Sequence, residues 1–441
     1  MQNMGLLYPQ KGMVPMKRNI AMYQLALRSF TADGTLNSAA ELLPFIKETG
    51  FDMIYLCPVF AADDDMDKSF WSSRQIQSGT ENPKNPYKMK DYYNVDEEYG
   101  TNQDLKSFID KAHSLGIQVL LDLVYLHCGR NAVFIAEHPD WVEQDENGDP
   151  RVGELWPFAR INYSNDGVRE YLWQNMEMFI RDYKVDGFRC DVGDSVPLDF
   201  WREGKRRILE INPDALMLNE GGKPEYVEDV FELNYFNGVG RRLFDMMEYE
   251  SVSSFLRERL NEVITNGVGG KTINFIENHD TASDTVENRI ESAFGSEVVD
   301  AMVVLIYTWL GVPLMFNGNE IADKKEQCMF SNRFYARRVG IDWSNLLRED
   351  GKRRLELTKA LNALRREYPA VYSDELELLE GTSAKSAAYI KSGKLLVALN
   401  FGSEEAVYNV PSSGKVILSH NAEVNSSSVK LCGAGFALVE I

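Results

Sequence analysis

The sequence predicts a (β/α)8 TIM barrel with a short excursion domain after its third strand and an all-β domain at its C-terminus. Three observations lead to this prediction. Near-continuous apolar runs alternate with helical patterns, as parallel strands with helical crossovers do. Ionisable residues stand just after several of these runs, where a barrel of this kind carries its functional groups. After Pro369 the helical patterns give way to short β-like runs separated by Gly, Ser and Asn.

Eight runs with the apolar character of buried parallel strands mark the barrel. They are residues 20–27, 51–56, 117–126, 187–191, 216–219, 231–236, 271–277 and 313–316. The helical patterns between them cover residues 38–49, 100–115, 166–183, 198–210 and 296–310. Within the second of these helices, Thr101 is a suitable N-cap with Asp104 three residues on, and Gly116 is a suitable stop.

The remaining segments set the domain boundaries. The barrel is assigned to residues 1–127 and 166–369, since such a barrel needs about 250 residues and tolerates insertions. The turn-rich stretch 128–165 forms the excursion domain, and residues 370–441 form the C-terminal domain. Residues 61–86 are polar and rich in Asp, Ser, Asn and Pro, which predicts a long loop of the kind that often carries function.

Composition disfavours several functional classes. The chain has 441 residues and a net charge of −20, whereas nucleic-acid binding needs clustered Lys and Arg. Its five cysteines include no C-x-x-C pair, so neither a disulfide framework nor a zinc site is expected. The N-terminus lacks an apolar signal region, and the longest apolar run, 301–316, is too short to span a membrane. We therefore expect a cytoplasmic protein without a membrane partner, and its oligomeric state stays open.

Two residues of the fourth predicted strand suggest catalysis. Arg189 and Asp191 are two positions apart, so their side chains point to the same side of a strand. A neighbouring guanidinium lowers the pKa of an aspartate and keeps it ionised, as a carboxylate nucleophile must be. Glu220 ends the fifth strand, and Asp280 follows the seventh. Retaining glycoside hydrolysis needs such a pair, a nucleophile and an acid whose environment raises its pKa.

One further ionisable residue lies inside an apolar run. Asp122 is the only charged residue of the third predicted strand, and a buried charge is costly unless it is paired. We expect Arg189 to be its partner and Asp122 to support the site structurally. A lone Arg-x-Asp is usually a structural ion pair, so the prediction of catalysis depends on the whole set of residues.

Four motifs in order resemble the alpha-amylase family of glycoside hydrolases, family 13. D-L-V-Y-L-H (122–127) is similar to the family's strand-three motif, and G-F-R-C-D (187–191) is similar to its nucleophile motif. L-N-E (218–220) is similar to the acid/base motif, and E-N-H-D (277–280) is similar to the strand-seven motif. The resemblance covers the chain from about residue 20 onward. It implies retaining cleavage of α-glucosidic bonds, chiefly α-1,4 bonds of malto-oligosaccharides or starch-like glucans, and a C-terminal β-sandwich.

The resemblance also implies a role for each matching residue. Asp191 is then the nucleophile, Glu220 is the general acid/base, and Asp280 stabilises the transition state. Arg189 orients Asp191. Three residues bind the sugar next to the cleaved bond, two by hydrogen bonds and the first by stacking: Tyr87, His127 and His279.

Two departures from the family pattern concern its structural calcium. The family carries a calcium-binding Asn one residue before the strand-three His, where this chain has Leu126, which cannot bind a hard cation. The family often follows its nucleophile motif with Lys-His, where this chain has Asp194 and Ser195. We therefore expect no cofactor, no structural calcium, and a changed acceptor site near Asp194. An acidic run offers a weaker, independent cation site, with a solvated loop as the alternative interpretation: Asp63, Asp65 and Asp67.

Two other functions stay open. A transglycosylase or isomerase of the same family, such as a glucanotransferase or trehalose synthase, shares the covalent intermediate and differs in the acceptor that reaches it. A non-catalytic carbohydrate-binding protein on the same barrel would be expected to lack a carboxylate, and all three are present. The preferred glucan length and any cleavage of α-1,6 bonds cannot be derived from the residues.

Overall fold

A computed structural model describes residues 18–153, 156–282, 289–335, 340–410 and 414–441. Within them, eight parallel strands alternate with helices, as the sequence predicts. The strands are β1 (Met22–Leu25), β2 (Met53–Leu56), β3 (Gln118–Leu123), β4 (Gly187–Cys190), β5 (Leu216–Asn219), β6 (Leu233–Asn234), β7 (Ile273–Asn274) and β8 (Val312–Phe316). The strands β6 and β7 are shorter than the apolar runs that predict them. An apolar run marks burial, and buried residues can lie outside the part of the backbone that pairs with a neighbouring strand.

The strands form one parallel sheet in the order β6-β5-β4-β3-β2-β1-β8-β7. The first and last strands meet where Met22 of β1 lies opposite Leu314 of β8. A parallel bridge between Asn234 and Thr272 joins β6 to the start of β7 and closes the ring. The carboxyl ends of all eight strands therefore open on the same face of the barrel.

Alternating side chains on the strands fill two separate cores. On β1, Met22 joins a cluster inside the barrel, while Tyr23 and Leu25 join the cluster shared with the surrounding helices. The inner cluster also contains Tyr55 of β2 and Leu218 of β5. The barrel interior is therefore a packed core and not a pore, and a ligand site is expected above the strand ends.

Helices surround the barrel and connect its strands. They are α1 (Leu27–Phe30), α2 (Leu36–Ala40), α3 (Leu43–Thr49), α4 (Ser73–Gln77), α5 (Asn102–Ser114), α6 (Asp166–Met178), α7 (Leu198–Ile211), α8 (Pro224–Asp229), α9 (Leu243–Glu248), α10 (Val252–Thr265), α11 (Ile290–Phe294), α12 (Ser296–Thr308) and α13 (Glu349–Glu367). Among the described residues, none of these helices has the length and apolar character needed to cross a membrane.

Two predicted helices and one predicted loop need correction. The predicted helix 38–49 is split into α2 and α3, because Pro44 at the second position of α3 has no N–H to continue an earlier helix. The helix α6 ends at Met178 and continues as a π turn, Phe179–Tyr183. The predicted loop 61–86 contains α4, which a hydrogen bond to the Ser72 side chain caps. So short a helix has no apolar period that a sequence pattern could reveal.

The excursion after β3 is built on a small antiparallel ribbon. His127–Cys128 pairs with Ala159–Arg160. Between these strands the chain forms two 3-10 turns, Val133–Ala136 and Pro139–Trp141. The ribbon therefore fixes His127 at the junction of the barrel and the excursion.

A six-stranded antiparallel sheet forms the C-terminal domain. Its strands are β9 (Leu376–Leu378), β10 (Ser386–Lys391), β11 (Leu395–Asn400), β12 (Ala406–Asn409), β13 (Lys415–Val424) and β14 (Ser428–Glu440). The long strand β14 pairs with β11, β12 and β13, so the six strands of the domain form one continuous hydrogen-bonded sheet. Ala388 and Leu396 pack in the domain's own core, while Val397 and Tyr389 pack toward the barrel. Tyr389 Oη lies 2.5 Å from Thr308 Oγ1 of α12.

Candidate active site

The predicted catalytic residues meet on the face where the strands end. Asp191 follows β4, Glu220 follows β5, and Asp280 lies in the turn after β7. All three line one cavity of about 420 Å³. The same cavity is lined by the residues that the resemblance assigns to sugar binding: Tyr87, His127 and His279.

Arg189 is the centre of the charge network in this cavity. Its side chain is fully buried, and its Nη1 lies 2.7 Å from Asp122 Oδ1 and 2.8 Å from Asp191 Oδ1. Its Nη2 lies 2.8 Å from Glu220 Oε2. The register of β3 and β4 places Asp122 directly opposite Arg189, so the expected ion pair forms. The same guanidinium also holds both carboxylates of the predicted catalytic pair.

The pKa of Asp191 is raised in the structure, whereas the sequence predicts that it is lowered. The sequence places only Arg189 beside Asp191, and a guanidinium lowers the pKa of a neighbouring carboxyl. In the structure, burial outweighs the guanidinium and raises the pKa of Asp191 well above its ordinary value, and Glu220 adds to this rise. Burial also raises the pKa of Asp122. Three carboxyl groups therefore share one buried cation, Arg189.

The residue after Asp191 has a strained backbone. Val192 lies in the left-handed region at φ 43° and ψ 42°, which is unfavourable for a β-branched side chain. This conformation directs the Val192 N–H to Glu220, whose Oε2 accepts the hydrogen bond at 3.0 Å. The same oxygen is bound by Arg189. The strained residue therefore helps to fix the position of Glu220 relative to Asp191.

Asp194 holds the turn that follows Glu220. Its Oδ1 accepts a hydrogen bond from Asn219 Nδ2 at 2.7 Å. Its Oδ2 accepts the N–H of Gly222 at 2.8 Å and that of the next residue at 3.0 Å. A Cβ on Gly221 would lie 2.3 Å from the Asp194 carboxylate, so this close approach requires glycine. The structure thus gives Asp194 a role in fixing this turn. The sequence related Asp194 only to the acceptor site.

The hydrogen bonds around His279 fix its tautomer. Gln24 Oε1 accepts the backbone N–H of His279 at 3.3 Å, so the Gln24 amide nitrogen donates to His279 Nδ1, 2.7 Å away. Nδ1 is therefore an acceptor, and Nε2 carries the proton of the neutral ring. Nε2 lies 2.6 Å from Tyr87 Oη, which donates to Asp122 Oδ2 at 3.0 Å. The Tyr87 ring also stacks on the imidazole, with 5.4 Å between ring centroids.

His127 enters the cavity as a neutral ring. Burial lowers the pKa of His127 to about 4. Its Nδ1 is buried and has no hydrogen-bond partner among the residues that the structure describes. The edge of its ring contacts Phe158, with 4.9 Å between centroids. A neutral imidazole with an unused polar atom suits a sugar hydroxyl.

Aromatic and polar side chains complete the wall of the cavity. Trp156 and Phe236 line it while remaining 45% and 44% exposed. Arg74 reaches it from α4, and its Nη1 lies 2.8 Å from Asp280 Oδ1. Apolar faces beside hydroxyl-binding groups match the two kinds of surface that a sugar ring presents.

The acidic run of the predicted loop does not gather into a cluster. Asp63 is fully buried, and its Oδ2 lies 3.7 Å from Lys88 Nζ. Asp65 and Asp67 each accept the backbone N–H of the residue two positions on. In the described ranges, no group of three or more His, Cys, Asp or Glu side chains is placed to hold a metal ion. The cation site stays a prediction, and the ammonium beside Asp63 does not favour it.

Comparison with known proteins identifies the family of this barrel. The family described as the alpha-amylase catalytic domain matches residues 8–148 and 156–370, which is most of the chain. The chain belongs to the alpha-amylase family. In this alpha-amylase family member, the match includes every predicted catalytic residue and ends before β9.

Several individual proteins are similar to this alpha-amylase family member. A maltogenic alpha-amylase of Bacillus acidopullulyticus is 28% identical over 318 residues, covering 65% of this chain and 49% of the relative. A cyclomaltodextrinase of Geobacillus thermopakistaniensis is 24% identical over 449 residues, covering 92% and 70%. The chain spans about half the length of curated relatives such as the maltogenic one. Its fold is similar to the crystal structure of a maltogenic alpha-amylase from Thermotoga neapolitana, with a TM-score of 0.78, 22% identity and coverage of 97% and 99%.

Four residues of the site escaped the sequence argument: Gln24, Tyr55, Arg74 and Val192. Tyr55 Oη donates to Asp122 Oδ2 at 2.6 Å, and Gln24 orients His279. Both are polar residues inside apolar runs, which is the same sequence signal that singled out Asp122. Arg74 lies in a polar stretch and Val192 differs only in its backbone, so neither has a sequence signal.

Proposed function

We propose that this alpha-amylase family member is a retaining glycoside hydrolase of α-glucosidic bonds, chiefly α-1,4 bonds of malto-oligosaccharides or starch-like glucans. The observation that carries the proposal is the binding of Asp191 and Glu220 to the two terminal nitrogens of Arg189. A retaining pair stands about 5–5.5 Å apart, whereas an inverting pair leaves room for a water at about 6.5–9.5 Å. Two carboxylates side by side on one guanidinium suit the shorter separation.

In the first step, Asp191 is the nucleophile and Glu220 is the acid. The Asp191 carboxylate attacks the anomeric carbon, and a C–O bond forms to the sugar. The bond from that carbon to the glycosidic oxygen breaks, and Glu220 gives this oxygen its proton. This step requires a proton on the acid Glu220 and an ionised nucleophile, Asp191, beside Arg189.

In the second step, water replaces the departed sugar. The Glu220 carboxylate removes a proton from the water, whose oxygen attacks the anomeric carbon and releases Asp191. Two inversions restore the α configuration of the product. The positive charge that develops on the sugar ring in both steps is stabilised by the negative charges of Asp191 and Asp280.

The surrounding residues orient the sugar for these steps. His279 is held beside Tyr87 by the hydrogen bond from its Nε2–H to Tyr87 Oη, and His127 lines the cavity with an uncharged ring. Tyr87, fixed by Asp122 and His279, offers an aromatic edge and face. The relatives named maltogenic alpha-amylase and cyclomaltodextrinase support maltose-based substrates for this chain as well.

We also propose that the enzyme works without the family's structural calcium. Leu126 is buried where the family has its calcium-binding Asn, and its carbonyl accepts the N–H of Ile161 at 3.3 Å. Asp194 is engaged in the turn after Glu220. The residues present therefore do not fit a calcium ion at this place, since it needs six to eight oxygen ligands. A cytoplasmic location likewise remains a prediction.

A product profile by chromatography tests the proposed function. Wild type and Asp191→Asn would be incubated with maltoheptaose, pullulan, sucrose and maltose, each with and without EDTA. We expect wild type to shorten maltoheptaose equally well in both conditions and Asp191→Asn to be inert. Longer chains or trehalose would instead identify a transferase or isomerase, and loss of activity in EDTA would contradict calcium independence. No change in any substrate would contradict the hydrolase proposal.

A further inference from the structure

Arg74 is a charged residue at the active site that no part of the reaction described above uses. We propose that Arg74 is a positioning residue, which holds the transition-state carboxylate Asp280 in its reactive orientation. The inference rests on the proposed function and adds one residue to its machinery. It is carried by the contacts of Arg74 with Asp280 and by the way in which α4 is fixed.

The contacts join Arg74 to Asp280 at two points. Arg74 Nη1 lies 2.8 Å from Asp280 Oδ1, and Nη2 lies 3.5 Å from the backbone oxygen of Asp280. On its other side, Asp280 Oδ2 lies 3.6 Å from His279 Nε2. The carboxylate therefore sits between a guanidinium and an imidazole, which restricts rotation of its side chain.

The helix α4 that carries Arg74 is itself held in place. Gln75, its buried neighbour, donates from Nε2 to the carbonyl oxygens of Asn82 and Pro83 at 2.8 and 2.9 Å. Ser72 Oγ accepts the N–H of Gln75 at 3.2 Å and caps the helix. Arg74 is thus presented to the cavity from a fixed base, as a positioning group must be.

The exposure of the Arg74–Asp280 pair means that Arg74 acts by orienting the carboxylate more than by electrostatic attraction. The side chains of Arg74 and Asp280 are 26% and 24% exposed, so water screens part of their attraction. The contact of Arg74 Nη1 with Oδ1 nevertheless favours one rotamer of the carboxylate, and the contact of Nη2 with the backbone oxygen fixes the guanidinium beside it. Asp280 interacts most strongly when positive charge develops on the sugar ring, so its misplacement raises the barrier more than it weakens ground-state binding.

Kinetics of matched variants test the inference. We expect Arg74→Met to lower kcat on maltoheptaose about 10- to 100-fold with KM changed less than about threefold. Arg74→Lys keeps the charge and loses the two-point contact, so it should recover only part of kcat. Lys68→Met is the control, because Lys68 lies in the same loop, pairs with exposed Glu81 and should leave kcat unchanged.

A double-mutant cycle separates positioning from a general structural role. In an Asp280→Asn background, measured with 4-nitrophenyl α-maltoside, Arg74→Met should change kcat less than about twofold, since its target is already lost. The same loss in both backgrounds, or an effect on KM alone, would overturn the inference while leaving the proposed function intact. Thermal unfolding checks that each variant is folded. If Arg74→Met does not fold, Arg74→Lys replaces it in the double-mutant cycle.

Binding of 1-deoxynojirimycin, a cationic iminosugar, provides a readout that does not need turnover. Calorimetry should show that Arg74→Met weakens its binding about tenfold in the wild-type background and not in Asp280→Asn. Equal weakening in both backgrounds would overturn the role of Arg74. A wild type that neither binds the iminosugar nor acts on any glucoside would overturn the proposed function itself.

Discussion

At the scale of single residues, Asp122, Asp191 and Glu220 compete for the one positive charge of Arg189. Each carboxyl group lies within hydrogen-bond distance of the guanidinium, and all four side chains are buried. With all of them ionised, the group would carry two excess negative charges away from water, which is unfavourable. Burial of this excess negative charge raises the pKa of Asp191 and Asp122, which favours a protonated carboxyl in the cluster. General acid catalysis needs such a proton.

The first prediction concerns the stability of Asp191→Asn. The raised pKa means that folded protein binds this proton more tightly than unfolded protein, so wild type loses stability as the pH rises from about 4 through the folded pKa. We expect Asp191→Asn to abolish activity and to unfold a few degrees higher than wild type at pH 7, with the gap closing near pH 4. Calorimetric scans at both pH values measure this difference.

The control for that prediction is Asp199→Asn. Asp199 is 64% exposed, and its hydrogen bond with Arg169 lowers its pKa, so its linkage to pH has the opposite sign. This variant should gain no stability at pH 7. An Asp191→Asn protein that unfolds below wild type at pH 7 would show that the ion pair with Arg189 outweighs the excess negative charge.

The second prediction concerns the backbone of Val192. At an ordinary position Ala is more stabilising than Gly by about 0.5–1 kcal/mol, but at φ 43° the Cβ of Ala is itself unfavourable. We therefore expect Val192→Gly to have a free energy of unfolding about 1 kcal/mol above that of Val192→Ala. Urea unfolding of the two variants compares the backbone effect, because both lose the two γ-methyl groups of Val192 and they differ only in the Cβ. A more stable Ala variant would mean that the left-handed conformation is not strained.

At the scale of elements, the functional side chains depend on the turns after the strands more than on the strands themselves. The strand β5 ends at Asn219, and Asp194 from the preceding connection fixes the turn that follows Glu220. Sequence motifs could predict which strand ends carry carboxylates because each end has a polar residue after an apolar run. They could not predict the role of Asp194, since a capping contact between two loops has no local pattern.

The third prediction concerns this turn. Asp194→Ala removes three accepted hydrogen bonds and leaves buried Asn219 without its partner, so we expect it to lower the free energy of unfolding by about 1–3 kcal/mol. It should also lower kcat about tenfold, because Glu220 loses a fixed turn behind it. Ser195→Ala, at the exposed neighbour, is the control and should change neither quantity. A normal kcat in Asp194→Ala would show that the position of Glu220 does not depend on this turn.

At the scale of the whole molecule, the C-terminal sheet packs against the barrel through a buried layer that contains a charged group. Lys391 of β10 is fully buried, and its Nζ has no hydrogen-bond partner within the described residues. Burial lowers the pKa of Lys391 to about 7, with Asp374 opposing the shift and Arg365 adding to it. Most of the fold could be predicted from the apolar periods in the sequence. The burial of Lys391 could not, because a lysine at the end of a strand has the same pattern as an exposed polar residue.

The fourth prediction concerns Lys391→Met. Unfolded protein holds the lysine proton up to about pH 10.5 and folded protein only up to about 7, so the penalty for burying the charge is complete below pH 7 and declines as the pH rises. We expect Lys391→Met to raise the free energy of unfolding by about 1–3 kcal/mol at pH 6 and by less at pH 9. Lys394→Met, at an exposed position on the same hairpin, should have no such effect. A destabilised Lys391→Met at pH 6 would mean that the ammonium is stabilised by Asp374.

The central claim, that Asp191 and Glu220 form a retaining pair, is tested most directly by the stereochemistry of the first product. Proton NMR can follow the anomeric signals during cleavage of maltoheptaose, before the released sugar mutarotates. The account predicts that the α anomer appears first and that Asp191→Asn releases no sugar. Initial appearance of the β anomer would contradict it, because a single displacement by water would then replace the covalent intermediate on Asp191.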